Sequence, residues 1–314
     1  MKTLNQCVTD RFALYNGDSA EVIGGIPDES VHYSIYSPPF VSLYTYSNSE
    51  RDLGNCRTRS EFFTHFEFIA RGIHRILKPG RLMSVHCMDI PAMKERDGYI
   101  GITDFPGDLI RLFESVGFIY HSRVVIWKDP LIEATRTKAI GLMHKQIIKD
   151  STMCRQGLPD YVITLRKVGD NAEPVSHNDG FNDYIGSAPP AGNSSATYSH
   201  HVWRRYASPV WMDINQSNTL NRAAARENQD ERHICPLQLD VIARCLELWT
   251  NKGDIVFTPF LGIGSEVYQS VLMGRYGIGI ELKESYYNQA IINCKSASQS
   301  KQGDLFDVAE GKGE

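Results

Sequence analysis

The chain lacks a positive balance, paired cysteines and any long apolar run, and each lack removes a class of function. Lys and Arg number 33 against 37 Asp and Glu, a net charge of −4. No global basic field is there to hold nucleic acid, so any such contact rests on local patches. The seven cysteines stand singly at 7, 56, 87, 154, 235, 245 and 294, with no Cys-x-x-Cys pair. That argues against a disulfide framework and a zinc site, and for reduced, mostly buried thiols. No run approaches the ~18 residues of a membrane span, and MKTLNQCVTDRF at the start has no apolar core of a signal peptide. The expectation is a cytoplasmic protein. What remains is an ordinary globular composition, 42% hydrophobic and 22% charged over 314 residues. It is enough for a substantial core and about two domains, or one α/β domain with insertions.

Strand-like and helix-like segments alternate. Val31–Tyr36 is β-branched and aromatic and runs into Ser37-Pro38-Pro39-Phe40, where two prolines end a strand sharply. Phe62, Phe66, Ile69, Ile73 and Ile76 fall at helical spacing, and Lys78-Pro79-Gly80 reads as the stop of that helix. Residues 81–87 read as a buried strand, 104–116 as a helix opened by Asp-Phe-Pro and closed by Gly117, and 118–127 as a strand. This order argues a largely parallel sheet covered on both faces. The alternation breaks over 131–167, where seven Lys or Arg face three acids. From Val168 to about His201 the chain is rich in Gly, Pro, Asn, Ser and Asp and reads as long loops or a mobile insertion, followed by Trp203-Arg204-Arg205-Tyr206 and Trp211. Alternation returns at Pro236 with a helix through Trp249, a strand 254–258, a helix after Gly264, a strand 276–282 and a last helix from Glu284. Beyond Ser296 the tail is polar and expected to fray.

Two motifs carry chemistry. In Asp254–Thr258-Pro259-Phe260-Leu-Gly262-Ile-Gly264, followed by Tyr276–Glu281, a strand, a glycine turn and a helix lead to a second strand ending in an acid. Doubly wound folds hold nucleotide-like cofactors this way, the glycines admitting the ligand to the backbone and the acid bonding ribose hydroxyls. A nicotinamide dinucleotide is one reading. The absence of a third glycine, where a pyrophosphate would need several backbone N–H groups, tilts the choice to a phosphate-free sulfonium nucleoside, S-adenosylmethionine. In the second motif, proline projects the Ser37 side chain and the Pro38 carbonyl as fixed acceptors, and Phe40 offers a flat face. That set fits a planar heterocycle with an exocyclic amino group.

Together these residues resemble the DNA amino-methyltransferases of the β class, in which the catalytic tetrapeptide precedes the cofactor glycines, a circularly permuted motif order. Ser37-Pro38-Pro39-Phe40 is similar to the family's (Asp/Asn/Ser)-Pro-Pro-(Tyr/Phe/Trp) element, and Phe260-x-Gly262-x-Gly264 to its Phe-x-Gly-x-Gly. Glu281 matches the ribose acid. Gly17-Asp18 resembles the Gly-Asp that opens such domains. His233, Pro236 and Gln238 resemble part of a His-Pro-x-Gln-Lys-Pro element near the methionine end of the cofactor. The chain departs from the pattern at Thr258, where the family usually has Asp.

The resemblance implies a Rossmann-like methyltransferase fold, mostly parallel with helices on both faces plus a loop-rich insertion. It divides the chain into a catalytic domain over 1–167 and 232–296, a target-recognition insertion over 168–231 and a polar tail over 297–314. It implies methyl transfer from S-adenosylmethionine to the amino group of a flipped-out base in double-stranded DNA, with no metal and no membrane. Assembly, a homodimer included, stays open. Ser at the first tetrapeptide position goes more often with cytosine N4 than with adenine N6, and both remain open. Chemistry at cytosine C5 would need a cysteine, usually after proline, and no Pro-Cys dipeptide occurs. Arg136, Lys138, Lys145, Lys149, Arg155, Arg204 and Arg205 are the candidate DNA contacts. An RNA substrate and a catalytically silent DNA-binding regulator are the alternatives. With no endonuclease-like motif, an orphan or phage-type modification enzyme is the expected setting.

Overall fold

The structure, a computed structural model, describes residues 3–39, 53, 56, 58–92, 94–137, 144–153, 155–189, 196–221 and 236–310. In chain order the strands are β1 (Asn5–Val8), β2 (Phe12–Asn16), β3 (Val31–Tyr36), β4 (Leu77–Cys87), β5 (Ile90–Ala92), β6 (Gly101–Thr103), β7 (Phe118–Ile126), β8 (Asp160–Lys167), β9 (Val210–Trp211), β10 (Ile255–Thr258) and β11 (Tyr276–Glu281). The helices are α1 (Ser19–Val22), α2 (Arg59–Ile76), α3 (Lys94–Asp97), α4 (Phe105–Val116), α5 (Pro130–Thr137), α6 (His144–Ile147), α7 (Ala196–Tyr206), α8 (Leu239–Trp249), α9 (Ser265–Leu272) and α10 (Glu284–Glu310).

Local chemistry explains the helix ends. The Thr58 hydroxyl accepts from the Glu61 N–H to start α2, and Phe62, Phe66, Ile69, Ile73 and Ile76 form its buried face. Burying each such side chain stabilises by about 1.5–3 kcal/mol. Asp104 caps α4 ahead of Pro106, and Gly117 closes it at φ 109°, a left-handed conformation that glycine adopts without a Cβ penalty. Lys78-Pro79-Gly80 is not the end of α2. The helix stops at Ile76, and those three residues already belong to β4, which starts four residues ahead of the expected strand.

Among the described residues nine strands form one sheet in the order β1-β2-β11-β10-β3-β4-β8-β7-β9. β2, β11, β10, β3 and β4 run parallel, while β8 lies antiparallel between β4 and β7. Aromatic and aliphatic side chains from α1, α2 and α4 cover one face. On the other, α8 packs under the centre and α9 with α10 under β2. The mostly parallel, doubly covered sheet is the expected fold.

Among the described residues six strands, β1, β2, β5, β6, β8 and β9, were not expected from the sequence. β1 and β2 extend one edge ahead of Val31, and β8 emerges from the basic stretch because Val162, Ile163 and Leu165 pack into both core layers. Two of that stretch's basic residues are structural. Lys167 bonds the Leu77 carbonyl and Glu29, and Arg166 bonds the Gly80 and Gly169 carbonyls. β9 adds a ninth strand from the segment expected to be loops, and α7 makes a helix of part of it. A buried guanidinium holds that segment down. Arg244 of α8 donates to Asp213 at 2.9 Å and to the Ile185 carbonyl, beneath the rings of Tyr206 and Trp211 at 4.8 and 4.9 Å. The last helix does not end at Ser296 but continues to Glu310. No helix among the described residues is long and apolar enough to cross a membrane.

Candidate functional site

The two motifs meet where the sheet changes winding direction. β10 connects through α9 to β11 on one side, and β3 connects through α2 to β4 on the other, so a crevice opens beyond the carboxyl ends of β10 and β3. Their register pairs Val256 with Tyr33 and Phe257 with Ser34. Pro259-Phe260 therefore leaves the sheet beside Tyr36-Ser37. Phe260 sits edge-on to Tyr36 at 5.7 Å and stacks on Phe66 at 6.0 Å. The Ser19 hydroxyl donates to the Pro259 carbonyl, tying α1 to the same loop.

Gly262 and Gly264 both adopt left-handed φ values, 53° and 95°. Their surroundings differ. Among the described residues a Cβ at Gly262 would meet nothing within 4 Å, whereas one at Gly264 would press on Ala290 and Cys294 of α10 at 3.1–3.2 Å. Gly262 thus faces the crevice, and Gly264 lets α9 and α10 pack. Glu281 closes the crevice floor, its carboxylate accepting from the Gly262 N–H at 2.8 Å and the Lys283 N–H at 2.9 Å. Asn16 and Gly17 bond the Glu281 carbonyl, and Asp18 caps α1 beside it.

This arrangement suits a phosphate-free nucleoside. The Gly262 N–H, which a pyrophosphate would need, already serves a carboxylate. Glu266, another acid, stands in the first turn of α9. Burial, with the Glu281 charge adding to it, pushes Glu266 up to about 8. The buried Gln238 Oε1 and Thr258 Oγ1 have no hydrogen-bond partner among the described residues, leaving two polar atoms for a ligand. Gln238 is seated by its amide, which donates to Gln216 at 3.1 Å. Pro236 precedes α8, half-buried.

Ser37 stands at the end of a row that the sequence does not announce. Its Oγ lies 3.0 Å from His86 Nδ1. His86 Nε2 lies 3.2 Å from a carboxylate oxygen of Asp160, poorly aligned for a hydrogen bond, and Lys128 pairs with the other oxygen. The register enforces this. Tyr36 pairs with Val85, which places Ser37 beside His86. His86 pairs with Val162, two positions along β8 from Asp160 and on the same face. Ser37, His86, Asp160 and Lys128 therefore come from the exit of β3, from β4, from β8 and from the exit of β7, four adjacent strands. Burial alone would raise the Asp160 carboxyl, yet Lys128 and His86 overcome it and hold Asp160 at about 2. Cys87 points to the opposite face, where burial pushes its thiol well up and keeps it protonated.

The other predicted residues divide. Pro38 is buried and Pro39 half-buried beside Ser37; Phe40, His233 and Lys138 lie outside the described residues. Arg136 and Lys145 fall on α5 and α6. Lys149 is exposed and Arg155 half-buried, bonding the Gln156 carbonyl. Arg204 and Arg205 are exposed on α7, Arg205 3.9 Å from Asp213. Trp203 is exposed, whereas Trp211 is a core anchor. At the amino ends of β3 and β10, His32, Glu173 and Asp254 cluster. Their carboxylates face Lys78 and Arg81, and His32 Nδ1 accepts from the Ile255 N–H, which makes the group an ion-pair network.

A family model described as DNA methylase matches residues 31–292. The type II methyltransferase M.BglII of Bacillus subtilis is 26% identical over 281 residues, covering 88% of this chain and 67% of that protein. Among solved structures, a DNA modification methylase of Thermus thermophilus, TTHA0409, complexed with S-adenosyl-L-methionine, superposes with a TM-score of 0.62 at 18% identity, over 92% of this chain and 96% of that one. The cytosine-N4-specific PvuII DNA methyltransferase does so with a TM-score of 0.62 at 18% identity, over 93% and 90%.

Proposed function

Because the chain belongs to the DNA methylase family, we propose that it methylates the exocyclic amino group of a base flipped out of duplex DNA, cytosine N4 ahead of adenine N6, with S-adenosylmethionine as donor. One observation carries the reading: β3 and β10, adjacent at the switch point, deliver Ser37-Pro38-Pro39 and Phe260–Gly264 into one crevice. When bound, the donor supplies a methyl group on a positively charged sulfur. Gly262, Glu281, Asp18 and Phe260 hold its nucleoside part, and Pro236, Gln238 and His233 its amino-acid end. Gly264 acts through the packing of α9 on α10.

An exocyclic amino nitrogen is a weak nucleophile because its lone pair is delocalised into the ring. Hydrogen bonds from its two N–H groups to Ser37 Oγ and the Pro38 carbonyl hold it in line and favour a pyramidal nitrogen. Positioning and electrostatics then supply most of the acceleration. A base inside the duplex cannot reach a crevice at the sheet end, so it flips out and stacks on Phe40. We assign target recognition to 168–231 and phosphate contacts to Arg136, Lys138, Lys145, Lys149, Arg155, Arg204 and Arg205. The Ser37 hydroxyl, in place of a carboxylate, is the reason to put cytosine first.

Incubation with methyl-labelled S-adenosylmethionine and mixed-sequence duplex DNA, followed by nucleoside mass spectrometry, tests this. N4-methylcytosine supports the reading in full. N6-methyladenine keeps the enzyme and overturns the choice of base. Cofactor binding with no methylated base overturns the DNA substrate in favour of RNA or a silent regulator.

Gly262→Ala separates cofactor binding from folding. The added methyl meets no atom of the described residues, so stability is expected to fall only by the left-handed backbone penalty, roughly 1–2 kcal/mol. Cofactor affinity is expected to fall at least about tenfold, because the methyl enters ligand space. Calorimetric titration checks it, and unchanged affinity would remove Gly262 from the site.

A further inference from the structure

We infer that Ser37, His86, Asp160 and Lys128 form a proton relay that fixes the Ser37 hydroxyl as an acceptor toward the target amino group and carries away the proton released on methylation. The inference rests on the proposed amino-group chemistry and assigns its proton path. The four side chains line up across adjacent strands on one face of the sheet, with contacts of 3.0 Å between Ser37 and His86 and 3.2 Å between His86 and Asp160. Lys128 completes the row on the far oxygen of Asp160.

The protonation pattern follows from charge. Asp160 is ionised throughout the working range, so it holds the hydrogen of His86 on Nε2. Nδ1 is then a bare acceptor, and the Ser37 O–H must donate to it. The lone pairs of Ser37 Oγ are left for the crevice, where an amino N–H can donate. A hydroxyl free to rotate could present its own hydrogen to that N–H instead. His86 and Asp160 thus give a serine the one-way acceptor character that a carboxylate has by nature. Poor alignment between His86 and Asp160 before substrate arrives is common for catalytic hydrogen bonds.

The step balances. The amino nitrogen gives an electron pair to the methyl carbon, and the carbon–sulfur bond breaks with its pair going to sulfur. The cationic nitrogen passes one proton to Ser37 Oγ as the Ser37 hydroxyl proton passes to His86 Nδ1. His86 becomes an imidazolium beside the Asp160 carboxylate and later returns the proton to water. Among the described residues the groups facing His86 are Ser37 from the exit of β3, Asp160 from β8 and, behind it, Lys128. Asp89, Tyr161 and Arg123 cluster on the opposite face with Cys87.

Two measurements on the full chain test the relay. The first needs no turnover: nitrogen-15 shifts of labelled His86 are expected to show a protonated Nε2 and a bare, hydrogen-bonded Nδ1, with Asp160→Asn shifting the balance to a tautomer mixture. A proton on Nδ1 in the wild-type protein at neutral pH overturns the relay whatever the substrate proves to be. The second follows the single-turnover methylation rate. His86→Ala is expected to lower it about 100-fold, with KM for DNA and cofactor within about two-fold and partial rescue by added imidazole. In wild-type protein the rate falls on the acid side through one ionisation, and His86→Asn, which keeps an acceptor but cannot take a proton, abolishes that limb. A His86→Ala rate within about three-fold of wild type, or an acid limb retained in His86→Asn, overturns it. A protein with the expected tautomer but no DNA methylation would overturn the substrate assignment and leave the Ser37 orientation standing.

Discussion

Ser37→Ala is expected to lower kcat about 10²- to 10³-fold, the loss that follows removal of one preorganised acceptor or donor at a reacting centre, about 2.7–4 kcal/mol. The methyl side chain fills nearly the same volume, so the turn set by Pro38 and Pro39 keeps its shape. Ser37 follows the end of β3, whereas the glycine turn follows β10 and Glu281 ends β11. Cofactor affinity should therefore stay within about two-fold. Rate and affinity move apart because the Ser37 contact forms with the base being methylated, and with the cofactor no contact is lost. Rapid-quench turnover alongside calorimetric cofactor titration measures both. A variant retaining a third or more of wild-type turnover, roughly a 0.6 kcal/mol effect, would place the amino-group acceptor elsewhere.

Arg244→Ala is expected to cost about 3–5 kcal/mol of stability, because it leaves a buried carboxylate without its cation. Arg244 is fully buried and Asp213 is 4% exposed. The guanidinium also closes the Ile185 carbonyl and sits among the rings of Tyr184, Tyr206 and Trp211. Arg244→Lys should recover only part of the loss, since an ammonium cannot bond Asp213 and the Ile185 carbonyl in one plane. Urea unfolding gives the magnitude. Amide exchange should show the first openings at 181–189 and 196–215, β9 included, while β3 and β10 stay protected. Uniform loss of protection across the sheet would mean that Arg244 supports the whole core.

Both chemical motifs were legible because each is a local device. A strand that ends in two prolines, or in a glycine turn with an acid at the end of the next strand, announces its chemistry within a few residues. The partners of Ser37 were not legible, because they are related to it by register. His86 sits in a strand that reads as buried, Asp160 lies in the basic stretch over 131–167, and Lys128 directly follows the strand expected at 118–127. Only the pairing of β3, β4 and β8 puts them in one row. β8 itself was hidden by the Arg and Lys at its end, and β9 is two residues long, too short to show a period. β1 is exposed and polar, held in place by β2. Gly264 illustrates a subtler limit: the motif shows that a glycine is required, but only the neighbouring α10 shows that the requirement comes from packing.

The crevice joins chain positions far apart, the Ser34 hydroxyl on β3 bonding the Phe257 carbonyl on β10, 223 residues later. Synthesis at about 5–20 residues per second places roughly 10–45 s between the emergence of those two strands. For that interval β3 can be paired along one side only, with the tetrapeptide beyond it already made. The crevice is among the last parts of the molecule to come into being, and a chain released early carries Ser37 with no glycine turn and no Glu281 beside it.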